Sequence, residues 1–426
     1  MARRPASARI PGRDGPTRKA AQLDASALKD GTRHRGEGNR RSATNDPPVE
    51  LPAELFEAMV GWYGEMSRDL PWRRTGDPYA ILVSEIMLQQ TRVETVLGRW
   101  ESFLGRFPTI NALAEAPLDD VLAEWSGLGY YRRPRALQAL ARVVVEQHDG
   151  ELPRTLEALA ALPGIGPYTA AAVGSIAFGL PALSVDGNVG RILCRIAAIE
   201  EDFRRPPVRR RLEALVADAM QQHEPHELNQ SIMELGARVC TPRAPRCHEC
   251  PAASWCEARA LGIEELIPPS RKEKVHAVIE HAAVLERDSR YLLLRGQRPT
   301  LVADMWEFPT LDSRLAERSS KAALSEYLHG LGWSVSLGAK LGEIRHGMTN
   351  RRICCRVYGA TLENGADRPL DPRDNTTAGH VADPGAAPAA APEHGWFTPA
   401  EITTLPLAAS ARKTLTELLS APLRST

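Results

Sequence analysis

Four cysteines fall within seventeen residues, at Cys240, Cys247, Cys250 and Cys256, with six, two and five residues between them. A stretch that carries four thiols so close together must fold as a loop around something they share. A disulfide framework would distribute its cysteines more evenly. The other three, Cys194, Cys354 and Cys355, stand apart and read as buried apolar side chains. Structural zinc usually takes two CxxC-like knuckles, whereas only Cys247 and Cys250 are spaced that way here. The uneven spacing better fits one [4Fe-4S] cluster wrapped by a single loop in a reducing compartment. Arg243 and Arg246, inside that loop, are expected to aim positive charge outward at a phosphate backbone.

The residues around this loop read as a helical region. From Leu51 to about Ala260 apolar residues recur at three- and four-residue spacing with almost no alternation, which predicts an all-α domain at 51–260 holding the loop 240–256. Within it, the run Tyr79–Leu104 reads as continuous helix, with Gln89 and Arg92 one and two turns beyond Glu85. After a polar connector at 261–276 the pattern changes to strand-like runs mixed with a clear helix at Ser320–Gly332, so 277–426 reads as α+β. Residues 364–395, rich in Ala, Pro, Asp and Gly, read as a mobile insertion. Residues 1–50 hold eleven Lys or Arg against six acids and few large apolar side chains, which predicts a disordered basic tail. Over the whole chain Lys+Arg and Asp+Glu both total 53, so net charge points to no partner and any nucleic-acid contact must come from local patches.

One stretch, Ala158 to Val185, carries no charge. Pro163, Gly164, Gly166, Pro167, Gly179 and Pro181 cut it into two short helices, below the roughly 20 uninterrupted apolar residues that a bilayer requires. The N-terminus lacks an apolar core for a secretory signal, and its acids, glycines and prolines argue against a transit peptide. A cytoplasmic protein with no membrane contact is expected.

Within the uncharged stretch, LPGIGPYTA (Leu162–Ala170) sets two glycines in a tight turn between helices, with Pro167 where the second would start. Gly164 and Gly166 lack the Cβ that would obstruct a phosphate, and exposed N–H groups at the helix start could donate to it, although most such turns merely connect helices. About twenty residues on, LSVDGNVGRIL puts Asp186 at the N-cap of another helix, a place that suits a plain cap or a fixed reactive carboxylate. Glu85 lies in AILVSEIMLQQTRV among Ile, Leu, Val and Met. It is either a helix-surface glutamate or, if partly desolvated, a general acid with a raised pKa. Tyr130 and Tyr131 beside Arg132, Arg133 and Arg135 suit base stacking with phosphate neutralisation, or a half-buried core aromatic.

Taken jointly, the hairpin turn, the aspartate that follows it and the cysteine spacing resemble the endonuclease III superfamily of helix-hairpin-helix DNA base-excision glycosylases. Within it, PWR at Pro71–Arg73, SEIMLQQTRV from Ser84, GLGYYRRPRAL from Gly127, DGNVGRIL from Asp186 and LNQSIMELGARVC from Leu228 are similar to the adenine DNA glycosylase (MutY) family. The resemblance runs nearly continuously from Leu51 to Ala260. It extends more weakly, through WEFP at Trp306–Pro309, to a Nudix-like C-terminal domain at 277–426 that would recognise the lesion. It implies a base-excision-repair enzyme that hydrolyses the N-glycosidic bond of adenine mispaired with 8-oxoguanine or guanine, acting as a monomer on double-stranded DNA.

By matching position the resemblance implies further roles. Glu85 would protonate the flipped adenine and later help activate water, Asp186 would stabilise the oxocarbenium-like sugar, and Tyr168 and Asn188 would orient them. Gln89, Gln90, Thr91 and Tyr130 match intercalating and strand-contacting positions, and Arg73 and Glu234 match adenine-edge contacts. Glycosylase/lyases of the superfamily carry a lysine where this chain has Tyr168. Without that amine no imine can form, so the enzyme is expected to be monofunctional rather than an endonuclease III-like lyase for oxidised bases. A DNA-binding scaffold without catalysis is the remaining alternative, against which both carboxylates argue. Where the family shows a Phe-Ser-His triplet that senses 8-oxoguanine, this chain reads Met348, Thr349 and Asn350, leaving Thr349 to offer a hydroxyl. In the helix at Ser320–Gly332 a single Glu326 replaces the Nudix carboxylate pairs, so pyrophosphate hydrolysis is not expected.

Overall fold

The computed structural model describes residues 50–269, 274–296, 305–311, 320–348, 350–363 and 392–419. The basic tail expected at 1–50, apart from Glu50, lies outside the described residues, as do Thr349 and 364–391 of the expected insertion. Helices α1 (Ala53–Met66), α2 (Pro78–Leu88), α3 (Val93–Arg106), α4 (Ile110–Glu115), α5 (Leu118–Glu124) and α6 (Arg132–Gln147) come first. They are followed by α7 (Leu156–Ala161), α8 (Pro167–Phe178), α9 (Gly187–Ile196), α10 (Pro206–Gln222), α11 (Pro225–Arg238) and α12 (Glu257–Leu261). None of the described helices is long and apolar enough to cross a membrane.

Two cores organise these helices. One joins α2, α3, α6 and α8 through Leu82, Val83, Phe103, Leu137 and Val173. The other joins α1 to α9, α10 and α11 through Leu55, Met59, Leu193, Leu212 and Ile232. Helix α2 starts on the cap at Asp77, whose carboxylate accepts from Tyr79 N–H, with Pro78 at its first turn. Every residue from Tyr79 to Met87 is buried, as befits a helix that is apolar on all sides.

The continuous helix expected over Tyr79–Leu104 is interrupted. Helix α2 ends at Leu88, Gln90 adopts a left-handed φ of 57°, and α3 begins at Val93. Gln89 and Arg92 therefore do not extend a stripe from Glu85. The cause is a side chain from another helix. Arg133 of α6 donates Nη1 to the carbonyls of Ile86 and Met87 at 2.9 Å and of Gln89 at 2.6 Å, satisfying the free carbonyls of the α2 terminus.

Residues 180–186 lead from α8 to α9 and are held by one buried amide. Asn229 on α11 donates to Ser175 Oγ (2.9 Å) and the Ala182 carbonyl (2.8 Å), while its oxygen accepts from Ser184 N–H (2.9 Å).

Among the described residues the C-terminal region is a seven-stranded mixed sheet with helices on both faces. Its strands are β1 (His276–Arg287), β2 (Arg290–Arg295), β3 (Trp306–Glu307), β4 (Thr310–Leu311), β5 (Val335–Met348), β6 (Arg351–Leu362) and β7 (Glu393–Phe397). The order is β3-β2-β1-β6-β5, with β4 on β1 and β7 on β2, and only β1 and β6 run parallel. Ala282 and Val284 of β1 enter one core, and Ala283 and Leu285 enter the other. Two covered faces thus replace the polar alternation of a one-sided sheet. Helix α13 (Lys321–Gly330) covers the second core through Leu324 and Leu328, and α14 (Pro399–Thr404) and α15 (Ala409–Lys413) cover the first. The insertion expected at 364–395 overruns a strand, because Glu393–Gly395 pair with β2 opposite Arg295–Leu293.

Asn229→Ala would strand Ser184 N–H and the Ala182 carbonyl in a dry interior. Urea unfolding should show a loss of about 2–4 kcal/mol at unchanged denaturant slope. A loss below about 0.5 kcal/mol would show that the 180–186 segment is held by packing alone.

Candidate active site and nucleic-acid interface

Two carboxylates face each other electrostatically from different helices. Glu85 is 7% exposed on α2, and Tyr168, on the first turn of α8, donates its hydroxyl to Glu85 Oε2 at 3.1 Å. Burial pushes the Glu85 carboxyl up to about 7, and the negative charge of Asp186 adds to the rise. The Tyr168 hydroxyl and the Arg73 guanidinium oppose it. The Tyr168 phenol is itself raised by burial and by Glu85, so it remains a donor.

Asp186 caps α9. Its Oδ1 accepts from Asn188 N–H at 2.8 Å and Val189 N–H at 2.7 Å, and its Oδ2 accepts from the Asn188 amide at 3.2 Å. Burial raises its pKa, against these N–H groups and Arg191. Arg191 in turn donates to Asn188 Oδ1 at 2.9 Å and to the Gly236 carbonyl at 2.9 Å. A Cβ at Gly236 would meet Asn188 Cβ at 2.6 Å, so α11 can approach Asn188 only with glycine there.

Gln89, Gln90, Thr91 and Tyr130 gather at the end of α2. Gln89 donates to Thr169 Oγ1 at 3.1 Å, and Thr91 Oγ1 accepts from Arg133 Nη2 at 3.1 Å. Tyr130 is 42% exposed with a left-handed φ of 50°, so its ring is presented outward rather than sunk in the core. Arg133 lies under it, 5.3 Å from the Tyr130 ring centroid and 5.4 Å from that of Trp125. Its Nη2 also donates to the Leu128 and Gly129 carbonyls at 3.0 and 3.1 Å. Arg133 is therefore buried and engaged within the protein, and the phosphate-neutralising role expected of it does not hold. Arg132 is exposed, and both it and Arg133 line a cleft with Gln89, Pro163 and Gly164.

Gly164 and Gly166 occupy the turn between α7 and α8. Gly164 has φ 76°, and a Cβ there would meet Ala136 Cβ of α6 at 2.6 Å, so its first cause is helix approach rather than room for a phosphate. Gly166, the residue before Pro167, has open space where a Cβ would be.

Arg73 and Glu234 are joined directly. Arg73 Nη2 donates to Glu234 Oε2 at 2.9 Å, and Arg68 donates Nε and Nη2 to the same carboxylate at 2.8 Å each. Burial would raise the Glu234 carboxyl, but Arg68 and Arg73 outweigh it and hold it down at about 2. Arg73 also stacks over Tyr63, 5.3 Å from its ring centroid.

Cys240, Cys247, Cys250 and Cys256 line one small cavity together with Arg195. Arg195, 2% exposed on α9, donates Nη1 to Cys240 Sγ at 3.2 Å and to the Thr241 carbonyl at 2.8 Å. Among the described residues, no three His, Cys, Asp or Glu side chains gather closely enough to hold a single ion. Arg246 pairs with Glu249 at 2.8 Å, so its charge is partly engaged within the loop.

Arg68, Arg191 and Arg195 escaped the sequence reading, which gives Arg133 only as a phosphate-neutralising cation. Among these four arginines the three buried ones carried a signal. Arg133 is in register with the apolar stripe Leu137, Leu140 and Val144, and Arg191 and Arg195 sit in a helix whose neighbours are all buried. A charge placed on a buried stripe must find internal partners.

Because the Tyr168 hydroxyl favours the charged form of Glu85, Tyr168→Phe should raise the Glu85 pKa above its value of about 7. Carboxyl carbon-13 shifts followed against pH would read this as a larger protonated fraction at pH 7. A fall, or no change, would mean that the hydroxyl does not bond to Glu85 in solution.

Residues 83–218, which hold Glu85, the hairpin and Asp186, match the HhH-GPD superfamily base excision DNA repair protein model. The chain is 36% identical over 366 residues to the adenine DNA glycosylase of Rattus norvegicus, covering 72% of this chain and 70% of that protein. It is 35% identical over 367 residues to that of Homo sapiens, covering 72% and 66%. It is 39% identical over 233 residues to that of Mycobacterium tuberculosis, covering 54% and 76%. Among solved structures, a thermostable thymine-DNA glycosylase is 29% identical with a TM-score of 0.44, covering 49% of this chain and 95% of its own. A MutT NUDIX hydrolase from Burkholderia pseudomallei is 19% identical with a TM-score of 0.25, covering 34% and 99%. The chain belongs to the adenine DNA glycosylase family of HhH-GPD base-excision-repair enzymes.

Proposed function

We propose that the protein removes adenine lying opposite 8-oxoguanine or guanine in double-stranded DNA, by hydrolysis alone and as a monomer. The observation that carries the chemistry is geometric: the Glu85 carboxyl is buried and accepts a hydrogen bond from Tyr168, and burial together with the Asp186 charge pushes it up to about 7. Near neutral pH a large share of Glu85 is protonated. It hands that proton to the five-membered ring of a flipped adenine as the bond from base to sugar breaks, and the bonding electrons leave with the base. The sugar is left as an oxocarbenium. The Asp186 carboxylate, fixed by the α9 cap and Asn188, stabilises that charge. Water adds to the sugar carbon and returns a proton to Glu85, which restores the enzyme. Tyr168 stands where a lyase would need an amine, so no imine forms and the strand stays intact.

Gln89, Gln90, Thr91 and Tyr130 are read as the groups that enter the duplex and contact the strands, with Gly164 and Gly166 beside a phosphate. Exposure of Tyr130 and its left-handed backbone favour that reading. Arg73 and Glu234 are read as a wall beside the adenine, with their charges matched to each other. Recognition of 8-oxoguanine, and the part of Thr349 in it, rests on the resemblance of the sequence motifs. The place of action is the nucleoid in the cytoplasm.

The residues of the cysteine loop fit a [4Fe-4S] cluster, since all four thiols reach one cavity walled by Arg195. Once bound, such a cluster would supply a structural cross-link within 240–256, and none of the hydrolytic steps passes through it.

Glu85→Gln keeps the shape but lacks the proton. It should bind duplex DNA as the wild type does and release adenine at least about 10²-fold more slowly, with wild-type strand scission appearing only after alkali. Excision within about tenfold of wild type would remove Glu85 from the acid role, and alkali-independent scission would remove the monofunctional assignment.

The purified protein should be brown and carry about four iron per chain. Colourless protein loaded with zinc would overturn the cluster.

A further inference from the structure

The C-terminal sheet region packs on the segment that carries Tyr130, and the contacts fall on few residues. At the centre, Leu122 of α5 meets Met305 and Ala408, all three fully buried, with Tyr131 packed against them. On one side, Arg412 of α15 donates to Ser126 Oγ, itself buried between α5 and the Gly127–Gly129 turn. On the other, Tyr131 donates its hydroxyl to the Leu407 carbonyl at 3.4 Å. Arg295 of β2 completes the contact, donating Nη1 to Asp119 Oδ2 at 2.9 Å. Ser126 and Tyr131 thus bracket Tyr130 in sequence, and both are tied to the same short stretch of the C-terminal region.

That stretch is firmly built. Trp306 N–H donates to the Pro406 carbonyl at 2.8 Å, and Ala408 N–H donates to the Trp306 carbonyl at 3.0 Å, which anchors 406–408 to the sheet. The segment it braces is, by contrast, conformationally demanding. Gly127 and Gly129 have φ of 96° and 70°, and Tyr130 has φ of 50°. A non-glycine residue in the left-handed region persists only where its surroundings hold it there. Arg133 holds it from beneath, and the C-terminal contacts hold it at both ends.

We propose that the C-terminal region braces Tyr130 through Ser126–Arg412 and Tyr131–Leu407, so that it influences base flipping mechanically whichever base lies opposite the adenine. Ser126, Tyr131 and Arg412 are positioning residues on this account, and none touches DNA. The inference rests on the reading of Tyr130 as the residue that enters the duplex. A brace predicts slower excision opposite guanine and opposite 8-oxoguanine alike, whereas a direct lesion contact would slow only the second.

Two measurements on the full chain test it. Amide hydrogen exchange without DNA should show protection across 127–132 falling about tenfold in Arg412→Ala, with α9 to α11 unchanged and Arg412→Lys largely restoring it. Unchanged exchange in 127–132, or loss of protection spread through α9 to α11, overturns the brace whatever the protein does to DNA. In single-turnover excision, Arg412→Ala and Tyr131→Phe should each slow adenine release roughly five- to tenfold opposite both bases, as expected for a misplaced but chemically intact group. In a Tyr130→Ala background the same changes should have no further effect. Additive losses, or losses confined to 8-oxoguanine, overturn the proposal. A wild type that releases no adenine sinks the functional reading and leaves the exchange result to judge the brace.

Discussion

The Arg133 guanidinium is surrounded by main-chain oxygens, and the reactive half of the helical region is built around it. Burial lowers its pKa to about 10, which leaves it charged at neutral pH. A buried cation must be solvated from within, and the carbonyls at the end of α2 and in the 128–129 turn do that work. One side chain therefore ends the helix that carries Glu85, turns the chain at Gln90, and fixes the backbone under Tyr130. Glu85 and the exposed Tyr130 share a support, so displacing one displaces the other.

Against that support the two carboxylates are set apart by their surroundings. Glu85 sits in a helix with no polar face, and dehydration favours its proton. Asp186 is half-buried and its carboxyl is also raised by desolvation, yet the first N–H groups of α9 and the Asn188 amide oppose the rise. Helix dipole and hydrogen bonds favour its anion. The division of labour we propose between Glu85 as acid and Asp186 as anion would thus arise from environment, since the side chains differ by one methylene. The two environments are themselves held by further buried polar groups, Asn229 behind the 180–186 segment and Arg191 behind Asn188.

Much of this arrangement is legible in the residues. Helical spacing from Leu51 onward, the shift to strand runs near residue 276, the hairpin turn at Leu162–Ala170 and the cap at Asp186 all follow from local rules: apolar periodicity, Gly and Pro punctuation, and the short carboxylate that suits an N-cap. Glu85 stands out because a charge among Ile, Leu, Val and Met is anomalous on any reading. The break after Leu88 is not legible, because the helix there is ended by a residue more than forty positions away. For the same reason Arg133 resembles a surface cation in the sequence and is a buried strut in the fold. Gly164 is recognisable as a glycine under constraint, but that its neighbour is Ala136, and that Gly236 lies against Asn188, depends on which helices pack together.

By itself, then, the sequence determined what is carried by spacing of a few residues: the helices, the hairpin, the cap, the cysteine loop and the family they resemble. Tertiary structure alone decided the pairings. Arg73 and Arg68 meet across Glu234, four thiols reach one cavity, and the Pro406–Ala408 segment lies against the turn beneath Tyr130. Periodicity and capping are short-range, set within a turn or two of the chain, whereas the partner of a buried charge is set by whichever surface is brought to it. Desolvation then makes that choice matter, because a group cut off from water keeps its charge, or gives it up, according to the neighbours the fold supplies.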